Sequence, residues 1–324
     1  MSETLDLSVV VPAYNRANLI ARALDSVAAQ TVLPREIVVV DDGSSDGTPD
    51  VVASWAKSAP LPVNLIVSPE NRGVGAARNI AMRAARGRLI ALLDSDDEYL
   101  KGALAMLAAP LARHPDAVVS FGEAEVRFAD RTQGFRHVAR NLTPGNGATE
   151  IAGDDGLYRL DDPQGELLTT SYVSPSAAVF RRQAALDVGL MPEKRYGEDW
   201  LFFLRLTGEG EFLVRFEDCA IIHRQDDNLT GTAHDYPNAC RTLASLIEVR
   251  NNDHVAIAAR HTPWLDRAIA KQAAAVRYFA SRQGWAEYWR MLGSPEARAT
   301  GGRAQHLLAD PKSALRALVG SLGS

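Results

Sequence analysis

The chain has 324 residues, 46% hydrophobic and 23% charged, with 24 Gly and 16 Pro scattered without a period. This composition excludes disordered and collagen-like classes and supplies enough apolar surface for one large or two coupled domains. The net charge of −5 divides unevenly: residues 235–324 hold 12 Lys/Arg against 7 Asp/Glu, and residues 1–234 hold 23 against 33. An acidic body disfavours nucleic acid, whose phosphates need a basic footprint. It must also recruit a cation or local donors to hold any anionic substrate. No apolar run approaches the roughly 18–20 residues of a membrane span, and the first residues carry no leader pattern. Cys219 and Cys240 form no CxxC pair, so neither a disulfide framework nor a zinc site is expected. A cytoplasmic protein is the expectation.

The first half alternates apolar runs with amphipathic stretches. Leu7–Val11 reads as a strand, and Ala17–Ala29 as a helix with Leu19, Ile20, Ala23, Leu24 and Val27 on one face. Glu36–Val40 is the second strand, Thr48–Lys57 the second helix, Val63–Val67 the third strand and Gly75–Arg86 the third helix. Arg88–Leu93, a helix over Lys101–Arg113 and a fifth strand at Val118–Phe121 complete the series. This pattern predicts βαβ units and a mostly parallel sheet, in which ligands sit outside the carboxyl ends of the strands. Between Gly122 and Arg224 shorter strands and longer loops are expected, as in a mixed-sheet continuation. After Asp235 the chain reads as helical: Pro237–Val249, Trp264–Gln283, Trp285–Leu292 and Pro311–Leu322.

The chemistry is therefore sought at the strand ends. Pro12-Ala13-Tyr14-Asn15 places an aromatic ring after the first strand, suited to stacking on a base or to packing in a turn. Asp41-Asp42-Gly43-Ser44-Ser45-Asp46-Gly47-Thr48 follows the second. Its EF-hand reading fails because the twelfth position is Ala53. Ser45 as a hydrolase nucleophile is opposed by the negative charge crowding it. A polar loop binding ribose or base edges and a helix cap from Ser45 or Asp46 both remain. After the third strand, Asn71-Arg72-Gly73-Val74-Gly75-Ala76-Ala77-Arg78 nearly matches a dinucleotide fingerprint, but Arg78 stands where the third Gly belongs. The glycines then serve close backbone approach to a ligand, with Arg72 or Arg78 facing an anion or base. Asp94-Ser95-Asp96-Asp97-Glu98 places four carboxylates directly after an apolar strand. A hard divalent cation would relieve their repulsion and supply the positive charge that a diphosphate needs.

Together VVVPAYNR (9–16), EIVVVDDGSSDGT (36–48), NRGVGAARN (71–79) and LIALLDSDDEYL (89–100) resemble the inverting glycosyltransferases of family 2, in order and in spacing. The resemblance implies the α/β GT-A fold, a Rossmann-like and mostly parallel mixed sheet flanked by helices. It implies a nucleotide-diphospho-sugar donor, a UDP-sugar first, bound with Mn2+ or Mg2+. Donor binding falls on Pro12, Ala13, Tyr14, Asp42, Arg78, Asp94, Ser95 and Asp96, with Tyr14 beside the base and Asp42 bonded to it. Metal binding falls on Asp96 or Asp97, and on His223, although the commoner histidine lies about three residues later, where Asp226 stands. Ser174–Arg182 is similar to the acceptor-side strand, and Gly197-Glu198-Asp199-Trp200 to the motif whose Asp is the general base, here Asp199. A carboxylate there suits removal of an acceptor hydroxyl proton, and Glu198 with Asp199 also suits a helix start.

The expected organisation is a catalytic domain over 1–234, with 1–121 for nucleotide-sugar and metal and 122–234 on the acceptor side. A helical region over 235–324 follows. The acceptor is expected to be a glycan or lipid-linked saccharide in cell-surface polysaccharide synthesis. A non-catalytic sugar-nucleotide binder and a sugar nucleotidyltransferase are the alternatives; the latter wants a Gly-rich basic loop at residues 12–15. Leu315, Leu318, Val319 and Leu322 form an apolar stripe with Lys312 and Arg316 nearby. That stripe suits peripheral contact with the inner face of the plasma membrane, a homodimer through 235–324, or packing within its own domain.

Overall fold

Valine-rich runs that are apolar on both sides need cover on both faces, and that requirement organises the first unit. The computed structural model describes residues 4–128, 134–138, 142–194, 196–224 and 235–322. The chain divides into two compact units, residues 1–224 and 225–324. In the first, β1 (Leu5–Ala13), β2 (Pro34–Asp41), β3 (Val63–Val67) and β4 (Leu89–Leu92) alternate with α1 (Ile20–Ala28), α2 (Thr48–Ala56) and α3 (Val74–Ala84). There follow β5 (Glu98–Tyr99), α4 (Ala103–Arg113), β6 (Ala117–Phe128), β7 (Phe135–Arg136), β8 (Thr143–Pro144), β9 (Gly147–Glu150) and β10 (Tyr158–Leu160). Then come α5 (Pro163–Thr169), β11 (Ala178–Arg181), α6 (Arg182–Asp187), α7 (Glu198–Leu206) and β12 (Glu211–Arg224).

The sheet runs β3-β2-β1-β4-β11-β6-β12-β10-β9-β8. Its first four strands are parallel, and β11 enters antiparallel between β4 and β6. Leu7, Val9 and Val11 pack with Ile20, Leu24 and Leu107 on one face. By alternation Val10, Val38 and Ile90 are buried on the other, where α3 lies against β1 and β2.

The strands β7 to β11 after Gly122 are short as expected, with two to four residues each. The expectation is corrected for β6, which continues past Phe121, and for β12. These are the two longest strands, β6 with 12 residues and β12 with 14, paired in parallel. Polar residues hide their continuity: Glu123 and Glu125 interrupt the apolar run, while register shifts between Arg215 and Ala220 bend β12. That bend lets β12 pair with β5, Ile221 opposite Glu98.

The second unit is helical: α8 (Asp235–Arg250), α9 (Thr262–Arg282), α10 (Trp285–Met291), α11 (Pro295–Thr300), α12 (Arg303–Ala309) and α13 (Pro311–Leu322). Leu243, Leu246, Ile269, Val276 and Tyr288 form its interior. The short helices α11 and α12 lie outside the sequence expectation, since six or seven residues are too few to display an apolar period. Among the described residues no helix is long and apolar enough to cross a membrane.

Candidate active site

Strand register alone brings the four loops to one edge. Ala13 lies opposite Asp41, and Asp41 opposite Val67, while Val10 pairs with Leu92 and its carbonyl accepts the Leu93 N–H at 3.0 Å. The loops after β1, β2, β3 and β4 thus open from one edge of the sheet, the carboxyl edge where open α/β folds place ligands.

The first two loops are bonded to each other. The Asn15 N–H donates to Ser44 Oγ (2.8 Å), Ser45 N–H to Asn15 Oδ1 (2.9 Å) and Ala17 N–H to Asp46 Oδ2 (3.0 Å). Asp46 also accepts from the N–H and hydroxyl of Thr48, so it organises the start of α2 while Ser45 does not. Tyr14 stands out from this lattice, 45% exposed. Asp42 is buried and accepts the Arg72 and Gly73 N–H groups, the latter at 2.7 Å, so its carboxylate fixes the entry to α3. Asp41 is fully buried; its Oδ2 accepts the Ser44 N–H, and its Oδ1 has no hydrogen-bond partner among the described residues.

The glycine-containing stretch serves a different neighbour from the one its pattern suggests. A side chain at Gly75 would bring a Cβ within 2.8 Å of the Pro192 carbonyl, so the missing side chain admits Pro192 and Glu198. Asn79 clasps the adjoining Met191 with both amide atoms, accepting its N–H and donating to its carbonyl at 2.9 Å each. Arg72 pairs with Glu193 at 2.9 Å.

Arg78 lies at the centre of this contact. Its guanidinium is almost wholly buried and reaches Asp94 Oδ1 at 2.6 Å and Glu198 Oε1 at 2.8 Å. Burial works against its charge, but Asp94, Glu198 and Asp199 outweigh it and hold Arg78 more firmly protonated than usual. Burial and then Asp199 push the Glu198 carboxyl up to about 7, against the pull of Arg78. The end of β4 and the start of α7, 104 residues apart from Asp94 to Glu198, are therefore joined through one side chain.

The acidic cluster after β4 is arranged by Ser176, which no motif singled out, and by the expected His223. Ser176, fully buried in the turn before β11, accepts the Asp94 N–H (3.1 Å) and donates to Asp97 Oδ2 (2.6 Å). The other Asp97 oxygen accepts the His223 N–H at 3.0 Å. The His223 ring is set against Glu98, with Nε2 2.7 Å from Oε1. Ser95 is buried, while Asp94 and Asp96 are half-buried. Burial and then Asp94 push Asp96 up, against Arg16 and Arg224; burial, Asp94 and Asp96 push Asp97 up much further. Two neighbouring carboxylates, Asp96 and Asp97, that both resist ionising beside Asp94 are the electrostatic signature of a site short of positive charge. Among the described residues no three His, Cys, Asp or Glu side chains converge as a closed metal cage, so Asp96, Asp97 and His223 do not form one. Such a site suits a cation whose remaining oxygens come from a substrate phosphate.

Asp199 is half-buried at the first turn of α7; its Oδ1 lies 2.8 Å from the Trp200 N–H. It lies within charge–charge range of Arg78, Glu198 and His137. His137, held to the Ala124 carbonyl through its own N–H, is kept neutral by burial and then by Arg224. Sequence reasoning missed Ser176, Glu198 as the partner of Arg78, and His137. Only their contacts across the fold reveal them. Asp226 lies outside the described residues.

A sequence model described as glycosyl transferase family 2 matches residues 8–189. An uncharacterized protein of Mycobacterium tuberculosis is 29% identical over 232 residues, 70% of this chain and 61% of the relative, so the chain spans less than two thirds of that protein's length. The succinoglycan biosynthesis protein ExoO of Rhizobium meliloti is 53% identical over 93 residues, 28% of this chain and 26% of that one. Among solved structures, S. aureus TarS residues 1–349 in complex with UDP-GlcNAc superposes with a TM-score of 0.65 at 20% identity, over 96% of this chain and 88% of the other. That likeness identifies the fold, the GT-A arrangement of mostly parallel sheet and flanking helices.

Proposed function

The chain belongs to glycosyl transferase family 2, and on that footing we propose that it transfers a sugar, with inversion, from a nucleotide-diphospho-sugar to an acceptor hydroxyl. The observation that supports this reading is the Arg78 bridge, which joins Asp94 at the acidic end of β4 to Glu198 beside Asp199 at the start of α7. Direct displacement at an anomeric carbon needs a leaving diphosphate on one side and a proton acceptor on the other.

Tyr14 offers its exposed ring to the base. Asp42, fixed by the Arg72 and Gly73 N–H groups, retains acceptor capacity for the base. Asp96 is the carboxylate that would hold Mn2+ or Mg2+, since Asp97 is oriented by Ser176 and the His223 N–H and Asp94 is paired through Oδ1 with Arg78. Bound there, the cation would act as Lewis acid for the departing diphosphate. His223, its Nε2 set against Glu98, would carry the kind of second contact that supports a ligating imidazole. Asp199 takes the proton of the acceptor hydroxyl, and the neutral His137 beside it adds no competing charge.

A UDP-sugar is the first donor to test, in keeping with the UDP-GlcNAc bound by TarS. A saccharide or lipid-linked saccharide acceptor in polysaccharide assembly accords with the name of ExoO. The test compares donor binding and nucleoside diphosphate release in the wild type and Asp199→Asn. The variant should bind donor as the wild type does and lose transfer by about 10²-fold or more. Retained transfer would remove Asp199 as the base.

A further inference from the structure

The last helix is packed with the wrong face inward for a helix whose only partners are its own bundle. Side chains at 315, 318 and 319 form one stripe at helical spacing, yet Leu315 is 63% exposed, Val319 60% and Leu318 43%. The face turned to α9, α10 and α12 instead buries Ser313 and Ala317. Leu308 on the neighbouring α12 is 82% exposed. Of the eight large hydrophobic side chains exposed among the described residues, six lie between Tyr278 and Val319, and the other two are Tyr14 and Val67.

Basic and aromatic side chains accompany the stripe. Arg316 lies over the Tyr278 ring at 4.8 Å, and Arg303 over the Trp289 ring at 4.7 Å, both rings being partly exposed. Lys312 is exposed one turn before Arg316. The segment 235–324 carries 12 basic against 7 acidic side chains, a balance opposite to that of residues 1–234. Leucines out, half-exposed Trp and Tyr, and flanking Arg and Lys are what an interfacial helix presents to an anionic bilayer. Two like-charged copies meeting through the same face would oppose their own excess of basic charge.

We propose that the α12–α13 face docks on the surface of an anionic lipid bilayer, with Leu308, Leu315, Leu318 and Val319 entering the headgroup boundary. The assignment stands apart from the donor-site reading and uses none of its residues. The full chain is pelleted with vesicles of phosphatidylcholine alone and with vesicles containing phosphatidylglycerol, at low and high salt. It should bind the anionic vesicles, bind the neutral ones more weakly, and lose affinity as salt rises. Leu315→Ser with Leu318→Ser should weaken anionic-vesicle binding by about tenfold or more. Both positions are exposed, so the thermal melt should be unchanged. Equal pelleting of variant and wild type, or no preference for anionic vesicles, would overturn the proposal. So would a concentration-dependent dimer, seen by light scattering, that the same two substitutions dissolve.

Discussion

Replacing Arg78 by methionine keeps the side chain's volume and removes the one cation that joins Asp94 to Glu198. The two halves of that bridge differ in worth. The Asp94 side chain is about one-third exposed, so solvent screens it and its loss counts for little. The Glu198 side chain is 7% exposed and faces Asp199, so without Arg78 it must either stay charged in a poor environment or take up a proton. Breaking a buried pair costs roughly 3–5 kcal/mol; proton uptake by Glu198 holds the cost to the lower end, about 3 kcal/mol. For a unit of this size that is a fall in Tm of about 6–12 °C. Thermal and urea melts by circular dichroism would measure it. The same origin demands that Glu198→Gln, placed in the Arg78→Met background, restore about 1 kcal/mol or more, because a neutral amide no longer needs the cation. An Arg78→Met variant melting within about 2 °C of the wild type, or a double variant no more stable than the single one, would refute the bridge as an energetic link.

Glu198→Gln alone tests the sign of its ionisation. A carboxyl raised from 4.5 to about 7 stabilises the fold below its unfolded value, and that contribution drains away as pH rises through the folded value. Tm should therefore fall for the wild type between those two pH values and stay flatter for the variant; parallel profiles would contradict the assignment. Ser176→Ala strands the Asp94 N–H and one oxygen of Asp97, and should cost about 1–3 kcal/mol in urea melts while weakening any metal-dependent ligand binding. A neutral effect on both would show that Ser176 does not order the cluster. Gly75→Ala would ordinarily strengthen a helix, but its Cβ would lie 2.8 Å from a backbone oxygen, so destabilisation of about 1–3 kcal/mol is expected. A stabilised variant would mean that the backbone at Pro192 gives way freely.

What could be read from the sequence, and what could not, follows from the range of the forces involved. The parallel strands declare themselves as valine-rich runs, and their carboxyl ends gather Tyr14, Asp41, Asp42 and Asp94 by a rule of sheet topology. The long β6 and β12 hide because Glu123, Glu125 and Asp218 interrupt the apolar pattern. Glu125 pairs with nearby Arg127, but Glu123 bonds the Val138 N–H and Asp218 pairs with Arg136, 82 residues away. Arg78 is visible as a charge in a glycine-rich stretch, but its partner lies 120 residues away, a separation no periodicity encodes. Ser176 is one serine among several until the fold sets it between Asp94 and Asp97. On α13 the amphipathic period is legible and the choice of buried face is not, since that depends on what α9 and α10 leave uncovered.

The most direct test is a calorimetric titration of the full chain with a panel of UDP-, GDP- and dTDP-sugars, with and without Mn2+. At least one donor should bind with an affinity that Mn2+ strengthens, and Asp96→Asn should abolish that strengthening while Asp199→Asn preserves it. Absence of metal-strengthened binding across the panel, or full metal response in Asp96→Asn, would contradict the reading of the β4 end as the donor and metal site.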